Sequence, residues 1–213
     1  VGEPDYAAPD KVIHACIDSL KRKETSYTSN WGLLELREEI AKLFAKRYGL
    51  TYDPKDEIMV TVGVSEAIGL VMTTFLNLGD EVLIPDPAYL AYPACVSIAH
   101  GVPVLVPTYA KDEFRLTVEE LEKKVTPKTK AILIGYPNNP TGTIMDRASL
   151  EKVAAFAKVH DLIVIADEIY CDLTYEGQHT CFASLPDMQE RTIVLNGFSK
   201  SYAMTGLRIG YVC

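Results

Sequence analysis

Apolar and polar positions along the 213-residue chain follow two regimes. Between Pro9 and Lys23 the apolar residues are Val12, Ile13, Cys16, Ile17 and Leu20, the three-and-four spacing of a helix with one apolar face. A second amphipathic helix is predicted from Leu33 to Tyr48, ended by Gly49 as a C-cap glycine. Residues 1–8 read as an extended arm and Tyr27-Thr-Ser-Asn30 as a polar loop. From Ile58 onward, short apolar runs alternate with helical stretches. Strands are predicted at 58–62, 81–85, 102–107, 131–135, 162–166, 192–196 and 208–212, and helices near 65–77, 88–100, 117–125 and 146–160. Ala131-Ile-Leu-Ile134 and Leu162-Ile-Val-Ile165 are apolar at successive positions, as strands covered on both faces are. The pattern predicts an α/β fold: a mainly parallel seven-stranded sheet with crossover helices. In such sheets ligands bind at the carboxyl ends of the strands.

Composition narrows the function classes. Apolar residues make up 48% of the chain, enough for a sizeable core, and the net charge is −8 without any Lys/Arg block. That balance argues against nucleic acid or an anionic membrane surface as the main partner. The apolar runs are strand-length and the first residues lack a signal-peptide pattern. Five cysteines (16, 95, 171, 181 and 213) form no C-x-x-C pair, and with four scattered histidines they offer no metal pattern. They read as free, mostly buried thiols of a reducing cytoplasm. The chain opens without methionine and stops inside an expected strand, and so reads as a piece of a longer protein.

Polar residues collect where the predicted strands end. Thr61-Val-Gly63-Val64-Ser65-Glu66 is a glycine turn entering a helix, whose first amides suit a phosphate. Taken alone, the stretch reads more readily as an ordinary turn with Ser65 as N-cap. Tyr89, after the second strand, could lie on a planar heterocycle or serve as a core or interface tyrosine. In Tyr136-Pro-Asn-Asn139-Pro-Thr-Gly142, two prolines bracket two asparagines and aim an amide at the crevice. Asp167 ends an apolar strand, where a carboxylate is costly unless a cation partners it. Tyr170, three residues on, could face the same ligand. Asp167 and Glu168 do not read as a catalytic pair, because adjacent strand residues face opposite ways. Finally, Lys200 follows the run 192–195 and Arg208 lies eight residues on. A lysine that forms an imine and an arginine that forks onto a phosphate suit a cofactor bearing an aldehyde and a phosphate.

The ordered strings G-E-P-D-Y, Y-T…G-x-x-E-L-R, P-N-N-P-T-G, D-E-I-Y, F-S-K and G-L-R-I-G closely resemble the aspartate aminotransferase superfamily, the class I/II, fold-type-I pyridoxal 5′-phosphate enzymes. The resemblance covers essentially the whole chain. It implies that Lys200 holds the cofactor as an internal aldimine and then moves the substrate proton. It implies Asp167 on the pyridine nitrogen, Asn139 and Tyr170 on the phenolate oxygen, and Tyr89 stacked on the ring. Arg208, Ser199 and the Gly63-Val64-Ser65 amides would hold the phosphate, joined by Tyr27 from a second subunit of a homodimer with shared sites. Gly2 would line the substrate pocket. Residues 1–30 would form an arm, helix and loop near substrate and dimer interface, and 31–213 the large cofactor domain, with the small C-terminal domain absent from this chain. Gly197 stands where many relatives have a phosphate-binding serine, implying one hydroxyl bond fewer. Ser65 stands where some relatives that prefer acidic substrates carry lysine. The implied reaction moves an amino group from an L-amino acid to a 2-oxo acid. Alternatives within the fold are a carbon–sulfur β-lyase and the aminotransferase-like sensor domain of a transcription regulator.

Overall fold

The computed structural model describes residues 2–213. Its helices are α1 (Asp10–Lys21), α2 (Leu34–Tyr48), α3 (Gly63–Phe75), α4 (Ala91–Ile98), α5 (Val118–Glu122) and α6 (Arg147–Val159). Its strands are β1 (Met59–Thr61), β2 (Glu81–Asp86), β3 (Val102–Pro107), β4 (Thr129–Gly135), β5 (Ile163–Asp167), β6 (Thr192–Gly197) and β7 (Gly210–Val212). They form one seven-stranded sheet in the order β1-β7-β6-β5-β4-β2-β3. The contacts among β2 to β6 are parallel, whereas β7 runs antiparallel to both β1 and β6.

The unbroken apolar runs are explained by two covered faces. Ala131 and Leu133 of β4 point into one core with Ile68 and Met72 of α3 and Val96 of α4. Ile132 and Ile134 point into the other, against Val153 and Phe156 of α6. A third cluster seats Ile40 and Phe44 of α2 against Ile58, Val194 and Tyr211. Successive side chains of a strand take opposite faces, so a strand between two helical layers has no polar side to show.

Several boundaries differ from the sequence expectation. The helix expected at 65–77 begins at Gly63, so Ser65 lies in its first turn and is no N-cap; Val62 holds that position without a side-chain cap. The carboxylate of Glu66 instead reaches back to accept from Val62 N at 2.5 Å. The last strand starts at Gly210, two residues beyond Arg208, which has left-handed φ of 57° and ends a short turn over Thr205–Leu207. Of the five free cysteines only Cys171 and Cys181 are buried, while Cys16 is exposed. Cys16 lies on α1, which has no buried residue.

Candidate active site

Chain order in the sheet reverses beside β2: β3 lies on one side of it and β4, β5 and β6 follow on the other. The loops leaving β2 and β4 therefore diverge and open a crevice at the strand ends. A cavity of about 570 Å³ lies there. Six of the residues singled out from sequence line it from five different loops or helix starts: Ser65, Tyr89, Asn139, Asp167, Lys200 and Arg208. Gly2, Val64, Tyr170 and Ser199 also reach it. Tyr27 does not, being fully exposed on the surface of the single chain.

One end of the cavity suits an anion. The first amides of α3 have no partner within the helix, and they carry the positive end of its dipole. The Arg208 guanidinium lies directly against Gly63, where an added Cβ would collide with its terminal nitrogens. Gly63 also has φ of 73°, a conformation only glycine adopts freely. Arg208 Nη1 is held by the Thr205 carbonyl at 2.8 Å. The backbones around this end are in close contact. A Cβ on Gly210 would meet Val64 N at 2.6 Å, and one on Gly197 would meet the Ile209 carbonyl at 2.8 Å. The packing around Gly197 thus leaves no room for a Cβ without a shift of the neighbouring backbone.

At the other end sits Asp167, 5% exposed. Within the protein its carboxylate has two neutral donors. The Tyr92 hydroxyl donates to Oδ2 at 2.8 Å and Ile169 N to Oδ1 at 3.2 Å. Burial raises the Asp167 pKa to about 6, against the pull of these two bonds. Tyr92 was within reach of sequence reasoning, since it lies three residues after Tyr89 and a buried carboxylate needs donors. Glu168 faces the opposite way, accepting from Phe182 N at 2.8 Å with His179 Nε2 at 3.0 Å. The two carboxylates are thus separated by the sheet, as strand alternation requires.

Between these ends lies Lys200. Burial, reinforced by Arg208, lowers its pKa below the usual lysine value, with Glu3 opposing. Its amine stands 5.6 Å from the centre of the Tyr170 ring and donates to the Gly2 carbonyl. The two asparagines of the Pro-Asn-Asn-Pro loop divide the work. Asn138 is buried and braces the loop, its Oδ1 accepting from Thr141 Oγ1 at 2.9 Å. Asn139 faces the cavity together with Tyr170. Glu3 also enters the cavity wall, hydrogen-bonded with Thr205 at 3.3 Å, a contact that sequence spacing does not reveal. Among the described residues, no group of three or more His, Cys, Asp or Glu could hold a metal ion, and no helix is long and apolar enough to cross a membrane.

Comparison with known proteins agrees with this arrangement. The aromatic-amino-acid aminotransferase 2 of Thermococcus litoralis is 47% identical over 213 residues, covering 100% of this chain and 55% of that protein. The aspartate aminotransferase of Pyrococcus abyssi is 48% identical over 213 residues, with the same coverage. The crystal structure of an aromatic aminotransferase from Pyrococcus horikoshii OT3 superposes with a TM-score of 0.98 at 48% identity, covering 100% of this chain and 57% of that one. The chain thus spans little more than half the length of these relatives. The family model described as aminotransferase class I and II matches residues 1–213. On fold, sequence and cavity together, this chain belongs to the class I and II aminotransferases.

Proposed function

We propose that this chain carries the cofactor half of a pyridoxal 5′-phosphate-dependent aminotransferase that moves an amino group from an L-amino acid to a 2-oxo acid. The observation that carries the reading is the placement of an amine, a buried carboxylate and a guanidinium beside helix amides around one cavity. These groups match an aldehyde, a ring nitrogen and a phosphate held in one planar molecule. When bound, the cofactor supplies a carbonyl for the substrate amine and a ring that accepts the electron pair left at Cα.

The residues then take these roles. Arg208, Ser199 and the amides of Gly63, Val64 and Ser65 hold the phosphate. Tyr89 packs on the ring face, and Asn139 and Tyr170 donate to its phenolic oxygen. Asp167 keeps the ring nitrogen protonated; the pairing draws its own pKa down from the raised value. Lys200 would anchor the cofactor and, once released, would take up the Cα proton at Nζ as general base and give it back as general acid. Its lowered pKa raises the share of neutral amine able to accept that proton. Gly2 borders the substrate; residues 1–30 lie near the substrate and the dimer interface, and 31–213 form the cofactor domain. Tyr27 reaches the phosphate of a second copy in a homodimer.

The direct test is to load the full-length protein with pyridoxal 5′-phosphate, reduce with borohydride and map the modified peptide. A phosphopyridoxyl group on Lys200 alone is expected, and it should vanish in Lys200→Ala. Labelling spread over other lysines, or none at saturating cofactor, would remove the reading. Amino-donor consumption by the unmutated protein should be lost with the same substitution.

A further inference from the structure

Gly135 is the last residue of β4, and its backbone has no need of glycine: positive φ occurs at Gly32, Gly49, Gly63, Gly79, Gly142 and Gly177 instead. What Gly135 provides is space. A Cβ there would lie 2.5 Å from the Tyr92 hydroxyl oxygen, but 3.4 and 3.5 Å from the nearest ring carbons, which are ordinary contacts. The missing methyl therefore makes room for one atom, the oxygen that donates to Asp167 Oδ2 at 2.8 Å. Tyr92 is 5% exposed on the first turn of α4, and its ring is braced edge-on by Tyr89 at 5.5 Å between centroids. With Ile169 N on the other oxygen, each carboxylate oxygen of Asp167 has one donor, which fixes the plane of the group.

We propose that Tyr92 is a positioning residue that holds the Asp167 carboxylate in place through a notch left open by Gly135. The proposal rests on the cofactor reading above, in which Asp167 meets the ring nitrogen. The other titratable groups around Asp167 are Glu3, Tyr89, Tyr170, Lys200 and Arg208 in the cavity, and Glu168 and His179 across the sheet. None of these is hydrogen-bonded to the Asp167 carboxylate.

The test is a double-mutant cycle in the full-length protein. Tyr92→Phe keeps the ring and removes the donor. A hydrogen bond to a charged group lost in this way should weaken pyridoxal 5′-phosphate binding about tenfold. It should also move upward the pH at which acidification releases the cofactor, because Asp167 without its donor protonates more readily. Gly135→Ala should shift both readings in the same direction by displacing the hydroxyl. In the Tyr92→Phe background, Gly135→Ala should add little, since the atom it strikes is gone. The same coupling should appear in urea unfolding of the cofactor-free protein.

Tyr92→Phe with unmutated affinity and release pH would overturn the proposal. So would Gly135→Ala costing as much in the Tyr92→Phe background as it does alone, which would tie the glycine to the ring or backbone. Coupling in the cofactor-free protein, with no uptake of cofactor by the unmutated chain, would overturn the cofactor reading and with it the role of Tyr92.

Discussion

Burial raises the pKa of Asp167 from an ordinary 3.8 to about 6, its carboxylate being bonded only by the neutral donors Tyr92 and Ile169 N among the described residues. An acid whose folded-state pKa is raised binds more protons folded than unfolded between about pH 4 and 6. Its contribution to stability therefore falls as pH rises through that window and stays lowest above it. A shift of this size corresponds to about 3 kcal/mol. Cofactor-free Asp167→Asn should accordingly be more stable than the unmutated protein at pH 8, by up to that amount, and the difference should close near pH 4. Urea unfolding across that range measures it, and a gap independent of pH would contradict burial of the charge as the cause. With cofactor bound, the order at pH 8 should reverse, because the substitution removes the counter-charge to the ring nitrogen. The same residue is thus a liability in the empty fold and an asset in the loaded one.

The end of the cavity that suits an anion depends on elements brought together backbone against backbone. The start of α3, the end of β6 and the start of β7 meet at Gly63, Gly197 and Gly210, each with less than a methyl's room. Gly197→Ser, which would restore the hydroxyl common in relatives, is therefore expected to destabilise this chain. Its Cβ would sit 2.8 Å from the Ile209 carbonyl and 2.9 Å from Gly210 Cα. Overpacking of this kind costs about 1–3 kcal/mol, readable as a lower urea midpoint. Gly63→Ala should act differently, since it strikes the guanidinium of Arg208 and also strains a positive φ. It should weaken phosphate affinity as well as stability, whereas Gly69→Ala, in the same helix with nothing nearby, should do neither.

At the scale of the molecule, α1 displays Ile13, Ile17 and Leu20 at 42, 43 and 66% exposure, and Trp31 follows at 45%. An apolar helix face of this kind typically packs against another surface. In the homodimer proposed above, a second copy covers it and places Tyr27 at the neighbouring phosphate. Ile17→Asp should then shift sedimentation of the full-length protein toward monomer and weaken cofactor binding together. Tyr27→Phe should weaken cofactor binding by about tenfold or less while leaving sedimentation unchanged. A cofactor affinity indifferent to both substitutions would place the phosphate site wholly within one chain.

The alternation of apolar strands with amphipathic helices determined the α/β class, the seven strands and where along the chain the polar turns fall. Those features are local, written in periodicities of two and 3.6 residues and in the positions of Pro, Asn and Gly. Lys200, Asp167 and Asn139 were recognisable because each follows such a run, and Arg208 because it precedes one, and all four stand in motifs with few alternative readings. Tertiary structure alone decided what surrounds them. That Asp167 is held by Tyr92, 75 positions away, depends on α4 lying over the end of β4 and on the atom-sized gap at Gly135. That Arg208 sits at Gly63 depends on β7 turning antiparallel beside β6. That three of five cysteines are not buried depends on which faces found partners. Contacts between residues far apart in sequence are set by packing of whole elements, and no local pattern in the chain encodes their distances.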